Sequence, residues 1–128
     1  MSTIKDGLLY TKDDEWIAID GDNGTVGITD HAQDALSDIV YLELPNVGDS
    51  YSAGETFGVV ESVKAAADLF MPVAGEVTAV NETLVDAPEG LNQTPYDAWL
   101  VKIKISDPAE LDGLMDAAAY QEYLDNRE

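Results

Sequence analysis

One lysine in this sequence is set apart by its surroundings. Lys64 sits in Glu61-Ser62-Val63-Lys64-Ala65-Ala66-Ala67-Asp68. The apolar run Thr56-Phe57-Gly58-Val59-Val60 precedes it, and Leu69-Phe70-Met71 and then Pro72-Val73-Ala74-Gly75-Glu76 follow. Two strand-like runs around a polar break read as a β-hairpin with its tip at about 61–68. Ala65, Ala66 and Ala67 flank the lysine on one side, Ser62 and Val63 on the other, so nothing bulky shields the amine. An exposed primary amine on a tight turn can be acylated by an enzyme that reads the hairpin, which removes its charge and leaves a long tether. Taken alone, the same lysine is also a plain solvated turn residue, the usual setting for lysine.

Other chemistries have less support. The chain has no cysteine, which excludes disulfides, thiolate nucleophiles, zinc–thiolate sites and iron–sulfur clusters. Its one histidine, His31, is accompanied by no glycine-framed nucleophile serine and reads as a surface residue of a short helix. No metal site and no acid–base constellation stands out.

The elements around Lys64 are mostly short strands separated by turn residues. After Leu8-Leu9-Tyr10, a strand is expected at Trp16-Ile17-Ala18-Ile19, a turn at Asp20-Gly21-Asp22-Asn23-Gly24, and a second strand at Thr25-Val26-Gly27-Ile28. Thr29 or Asp30 can cap a short helix from His31 to about Leu36, because a side-chain oxygen there accepts an orphan backbone N–H. Ile39-Val40-Tyr41-Leu42-Glu43-Leu44 is β-rich and stops at Pro45. Gly54 and Gly75 are expected to supply turns in positive φ. Glu76-Val77-Thr78-Ala79-Val80-Asn81 alternates as a half-buried strand should. Residues 82–97, with Pro88, Gly90 and Pro95, read as a long connection. Trp99-Leu100-Val101-Lys102-Ile103-Lys104-Ile105 is the last strand, its lysines on the wet face.

The period then changes to helical, over about 108–126. Asp107, Pro108 and Glu110 read as N-cap, first-turn proline and an acid near the positive end of a helix dipole. A second helix starts at Asp116, with Ala119, Tyr120, Tyr123 and Leu124 as a stripe laid on the sheet. Short strands with glycine turns imply a mainly β sandwich or barrel with short flanking helices, and 128 residues suit one domain, 1–128, burying about two-thirds of its unfolded surface.

Charge narrows the partners. With 26 acids against 6 bases the net charge is −20, and the acids are spread singly between apolar residues rather than gathered in a tail. That is an acidic folded surface, which excludes nucleic acid as a partner because phosphate contacts need a basic patch. No apolar run approaches a membrane span and the N-terminal residues lack a signal-peptide core, so the expectation is no membrane contact and a cytoplasmic location. Self-repulsion on this scale destabilises a compact state unless salt screens it, which suggests a salt-rich cytoplasm, as in halophiles.

The hairpin residues also resemble a known family. Glu61-Ser62-Val63-Lys64-Ala65 with Asp68, then Pro72-Val73-Ala74-Gly75-Glu76-Val77 and Asn81, look like the lipoyl-attachment motif of the glycine cleavage system H protein. Further blocks resemble it along the chain: Asp14-Glu15-Trp16, Val26-Gly27-Ile28-Thr29-Asp30 with Ala32-Gln33, Asp38-Ile39-Val40-Tyr41-Leu42-Glu43-Leu44-Pro45, Pro95-Tyr96 with Trp99, and Asp112-Gly113-Leu114-Met115. The resemblance implies a barrel-sandwich hybrid, the lipoyl/biotinyl-carrier-like fold, in which Lys64 carries lipoate as N6-lipoyllysine. It implies a monomeric, non-catalytic carrier in glycine catabolism and one-carbon metabolism. Such a carrier takes an aminomethyl group from a pyridoxal-phosphate glycine decarboxylase to a tetrahydrofolate-dependent aminomethyltransferase. Its dithiol is reoxidised by dihydrolipoyl dehydrogenase, which uses FAD and NAD, and a lipoate-attaching enzyme loads it.

Within that resemblance Glu61 is placed for reading by the lipoylating enzyme or by partners. Glu15 and Asp68 are candidates to hold the cationic aminomethyl nitrogen, although on so acidic a chain Glu15 reads first as a plain surface acid. The chain departs from the family's usual residues at Asp14, where histidine is common, at Ala67, where a hydroxyl residue is common, at Ala98, where glycine is common, and at Ala35, sometimes histidine. Three alternatives stay open. A biotinyl carrier usually brackets its lysine with methionines, where this chain has Val63 and Ala65. A lipoyl relay serving lipoate assembly or transfer would carry the same motif. A Schiff-base enzyme would need a desolvated lysine in a pocket, whereas Lys64 is expected to stand exposed among acids.

Overall fold

The computed structural model describes residues 4–127. Among them two antiparallel sheets enclose the main core. The larger is built from β1 (Leu9–Tyr10), β2 (Glu15–Asp20), β3 (Asn23–Ile28), β5 (Ser50–Tyr51), β8 (Gly75–Val80) and β9 (Val101–Ile105), in the order β1-β2-β3-β9-β8-β5. The smaller is β4 (Ile39–Glu43), β6 (Thr56–Ser62) and β7 (Ala66–Phe70), in that order. Neither sheet closes on itself, and their inward side chains meet in one cluster. Ile17, Val26, Val77, Val101 and Ile103 come from the large sheet, and Leu42, Val60 and Leu69 from the small one. Burying these apolar side chains is the main favourable term holding the sandwich.

The helices sit at the edges. α1 (Asp30–Leu36) starts at Thr29, whose hydroxyl accepts from Ala32 N at 3.2 Å. That oxygen satisfies a backbone donor that would otherwise be orphaned. The stretch read from sequence as a long connection contains two short helices, α2 (Glu82–Asp86) and α3 (Gly90–Gln93). Each is pinned by one buried leucine, Leu84 or Leu91, too little periodicity for the sequence to announce a helix. Asp107 caps a 3-10 helix over Pro108–Gly113, and Asp116 caps α4 (Ala117–Asn126).

α4 packs with β1 over a second, aromatic cluster. Tyr120 stacks on Tyr10 with ring centroids 4.6 Å apart, and Trp16 is buried beside them. Tyr123 and Leu124 lie against this cluster as the stripe implied, but Ala119 faces solvent, because the helix meets a narrow aromatic seam rather than a broad sheet face. The last strand is also shorter than expected. Trp99 O accepts from the Asn81 side chain at 2.8 Å and Leu100 N donates to Val26 O, so the regular β8–β9 ladder starts at Val101. Along β8 a register shift between Val77 and Ala79 breaks the alternation and leaves Ala79 and Val80 both half-buried.

The two glycine expectations divide. Gly54 has φ +83 and turns the chain into β6. Gly75 is not in positive φ: it is the first residue of β8, paired with Ile105, and a Cβ there would stand 2.7 Å from Lys104 O. Glycine is needed at 75 for close backbone approach, not for a turn.

Candidate functional site

The β6–β7 hairpin places Lys64 at its tip. Its ladder runs from Thr56↔Phe70 to Glu61↔Ala66, and Ser62 N donates to Ala65 O at 2.7 Å to close the turn over Val63 and Lys64. The Ser62 hydroxyl accepts from Lys64 N at 3.2 Å and Ala65 N at 3.0 Å and donates to Ala65 O at 3.1 Å. One short side chain thus satisfies the amides that a tight turn leaves unpaired, which is how serine favours turns. Val63 N donates to Asp38 O at 3.0 Å, tying the tip to the chain ahead of β4. Ala65 and Ala66 lie exposed beside Lys64, and so does Glu61.

The lysine side chain is exposed and bends back onto the body. Its Nζ donates to Ala35 O at 3.2 Å, in the last turn of α1. That turn has no basic residue of its own, and a cation there is favoured by the carbonyls left unpaired at a helix C-terminus.

Beside this contact lies a pocket of about 190 Å³. Ile28, Ala32, Ala35, Leu36, Val60, Ala67 and Leu69 make its apolar walls, and Asp13, Asp14, Glu15 and Asp68 bring carboxylates to it. Helix α1, the loop ahead of β2 and strand β7 therefore converge on one concavity next to the tip. Three positions where this chain departs from the resembled family, Asp14, Ala35 and Ala67, line it, while Ala98 is buried elsewhere. Small side chains at 35 and 67 keep it open.

Glu15 is no surface acid: it is 2% exposed. Its Oε2 accepts from Phe70 N at 2.7 Å and its Oε1 from the Thr11 hydroxyl at 3.3 Å. Burial pushes its carboxyl up to about 8, the two hydrogen bonds oppose that, and the charges of Asp13 and Asp14 add to it. Asp68, by contrast, stands exposed on β7 opposite Val59.

Asp14 is held from the other side. At φ 66 it turns the chain into β2, and its Oδ1 accepts from the Tyr120 hydroxyl at 2.9 Å and from Arg127 Nη1 at 2.6 Å. Tyr120 also bonds the buried Thr29 hydroxyl at 2.8 Å. Residues from the loop, the cap of α1 and α4 form one network behind the pocket, which the sequence reading did not anticipate. The only available signal was the pair of tyrosines and an arginine near the C-terminus, which carries no hint of a partner 113 residues away. His31 is half-buried on α1 and does not line the pocket.

An exposed lysine at a hairpin tip, on an open two-sheet sandwich with an apolar pocket alongside, defines a carrier domain of the barrel-sandwich type. The match to known proteins is specific within that class. Residues 8–127 fit the family model for the glycine cleavage H-protein, and the chain belongs to that family. It is 54% identical over 122 residues to a glycine cleavage system H protein of Chromohalobacter salexigens, covering 94% of this chain and 93% of the relative. It is 54% identical over 126 residues to that of Burkholderia vietnamiensis, covering 98% and 100%. The crystal structure of a glycine cleavage system H protein from Mycobacterium marinum superposes with a TM-score of 0.87 at 39% identity, covering 95% of this chain and 99% of that one.

Proposed function

We propose that this chain is the lipoyl carrier of a glycine cleavage system, with lipoate joined to Lys64 as N6-lipoyllysine. The observation that carries the reading is the placement of Lys64. Its amine is exposed on a turn rigidly closed by Ser62 and opens beside a pocket with apolar walls. Those walls suit an aliphatic arm, and the acids at the pocket suit a cationic cargo. When attached, the cofactor supplies the dithiol chemistry, which a chain without cysteine cannot supply itself.

The chain's own residues present, shelter and hold. Ser62 and the Val63–Asp38 bond fix the direction in which the lysine leaves the hairpin. Glu61, exposed on the hairpin, is read by the lipoate-attaching enzyme or by partners, with Val63, Ala65 and Asp68 completing the recognised tip. Glu15 and Asp68 would hold the protonated nitrogen of the aminomethyl cargo, and Glu15, kept neutral by burial, would lose its proton to solvent as the cation arrived. Tethering keeps the cargo at high effective concentration for each enzyme in turn, so the carrier need not be a catalyst itself. Those enzymes are a glycine decarboxylase using pyridoxal phosphate, an aminomethyltransferase using tetrahydrofolate and a dihydrolipoyl dehydrogenase using FAD and NAD. The carrier works as a cytoplasmic monomer of one domain, residues 1–128.

Intact mass after incubation with a lipoate-attaching enzyme tests the attachment: the wild type gains one lipoyl increment and Lys64→Arg gains none. Unchanged mass in the wild type, or a lipoyl increment retained in Lys64→Arg, overturns it. Reconstituting glycine decarboxylation with the three enzymes then separates this role from a lipoyl relay, which would accept the group but not support turnover.

A further inference from the structure

Arg127 is the only arginine in the chain, and it stands at the end of α4 as that helix's C-cap. Its Nη1 donates to Asp14 Oδ1 at 2.6 Å, and its guanidinium carbon lies 5.0 Å from the centroid of the Tyr123 ring. A short charge-assisted bond from a guanidinium seated over an aromatic ring has a set direction, unlike a loose surface pair. Its acceptor is far away in sequence. Asp14 belongs to the loop between β1 and β2, and it is one of the residues that line the pocket beside Lys64.

The fold does not depend on this pair. α4 is already fastened by Tyr120, which is fully buried, stacks on Tyr10 and bonds the Thr29 hydroxyl at 2.8 Å. Tyr123 adds a bond to Lys12 O at 3.2 Å, and an ion pair open to solvent adds little to such an anchor. What the pair does change is the charge at the pocket. Of the four acids there, Glu15 is buried between Phe70 N and Thr11, while Asp13 and Asp68 are exposed to screening solvent. The Asp14 side chain is 14% exposed, so its charge is the one a cation in the pocket would feel most, and Arg127 compensates it. Acylating Lys64 removes a second cation from beside the pocket, which leaves the guanidinium more to balance.

We propose that Arg127 is a positioning residue for the arm: it compensates Asp14 and holds that carboxylate toward α4, so that the pocket shelters a cationic cargo without trapping it. The inference rests on the carrier reading of Lys64 and adds what limits the hold. A tethered cargo must be kept from water between enzymes and must still leave the pocket at the next one. A ground state held too tightly slows the step that follows it. With Arg127 in place, the Asp14 oxygen nearest α4 is taken by the guanidinium and the Tyr120 hydroxyl. Without it, Asp14 presents an uncompensated negative charge, and the ammonium of the cargo takes the place of the guanidinium.

The test uses the full-length lipoylated chain, loaded from glycine by glycine decarboxylase in dilute salt. Two quantities are followed: hydrolysis of the loaded arm, from ammonia released without an acceptor enzyme, and kcat and KM for the loaded carrier with aminomethyltransferase and tetrahydrofolate. In Arg127→Gln hydrolysis is expected to slow about threefold, and kcat of transfer to fall about threefold with KM held. Arg127→Lys keeps the charge and is expected to stay within about 1.5-fold of the wild type. Adding Asp14→Asn to Arg127→Gln removes both charges and is expected to restore the wild-type rates. Molar potassium chloride narrows the gap between Arg127→Gln and the wild type. A thermal melt checks that each variant is folded. A purely structural part for Arg127 gives the opposite sign, because a loosened pocket wall admits water and speeds hydrolysis. The inference is overturned if hydrolysis in Arg127→Gln is unchanged or faster, or if the double variant stays as slow as Arg127→Gln. A wild-type lipoylated chain that glycine decarboxylase cannot load sinks the carrier reading itself, and this inference with it.

Discussion

Glu15 is the residue whose chemistry differs most from what its type implies. In water a glutamate releases its proton near 4.5; buried against Phe70 N and Thr11, this one holds it up to about 8. Between those values the folded chain binds one proton more than the unfolded chain. Its share of stability is therefore present at low pH, falls as pH rises from about 4.5, and is lost above about 8. Glu15→Gln keeps an oxygen for Phe70 N and has no proton to lose. Its stability is expected to match the wild type near pH 5 and to exceed it by about 4 kcal/mol at pH 9, read from urea midpoints across that range. The same variant tests the proposed hold on the cargo: hydrolysis of the loaded arm is expected to be several-fold faster in Glu15→Gln, and an unchanged rate removes Glu15 from that role. On that proposal, holding a neutral acid ready for an incoming cation would cost stability but make the pocket responsive, because only the loaded state would favour the carboxylate.

At the scale of elements, the hairpin is rigid because several parts brace it. Ser62 closes the turn, Asp38 anchors Val63, and β8 and β9 carry the core beneath. Gly75 matters here although it lies outside the hairpin, in the other sheet. It lets β8 start against Lys104 O, and a methyl group there would force the β8–β9 pair apart. Gly75→Ala is expected to cost about 1–3 kcal/mol with the lipoylation of the surviving folded protein unchanged, measured by denaturant unfolding and by intact mass. Had Gly75 merely supplied a positive φ at a turn, asparagine would be tolerated there; at a close backbone approach it is expected to do worse than alanine. Helix α4 plays a comparable part from the other side. Through Tyr120 and Arg127 it holds Asp14 at the back of the pocket, so the C-terminal segment braces the site as well as covering the aromatic cluster.

At the scale of the whole molecule, charge dominates. With acids outnumbering lysine and arginine by twenty, the Arg127–Asp14 pair offsets little of the repulsion. Salt screens repulsion between exposed charges that stand farther apart than about 10 Å at 0.1 M and about 3 Å at 1 M. The melting temperature is therefore expected to rise by several degrees between dilute buffer and molar potassium chloride, followed by circular dichroism at constant pH. A flat response would remove the case for a salt-rich home. The Arg127–Asp14 contact opposes this trend locally, since salt weakens an exposed pair, so the pocket wall and the global fold are expected to respond to salt with opposite sign.

Much of this protein was legible in its residues alone. The hairpin around Lys64, the Thr29, Asp107 and Asp116 caps, the stop at Pro45 and the alternation of Val101–Ile105 all rest on local chemistry: turn preference, capping and a two-residue period. The family resemblance rested on local blocks of the same kind. What needed the tertiary structure is whatever depends on residues far apart in the chain. Glu15 and Asp68 are both plain acids in the sequence, and only the approach of β7 to the loop ahead of β2 buries one and leaves the other in water. Gly75 reads as a turn until β9 is laid beside it, α2 and α3 exist because Leu84 and Leu91 find a core to enter, and Asp14 gains its partners from a helix more than a hundred residues away. Lys64 needed both: its turn is written in Ser62 and its neighbours, but the carbonyl it leans on and the pocket beside it come from α1, which only folding brings to the hairpin.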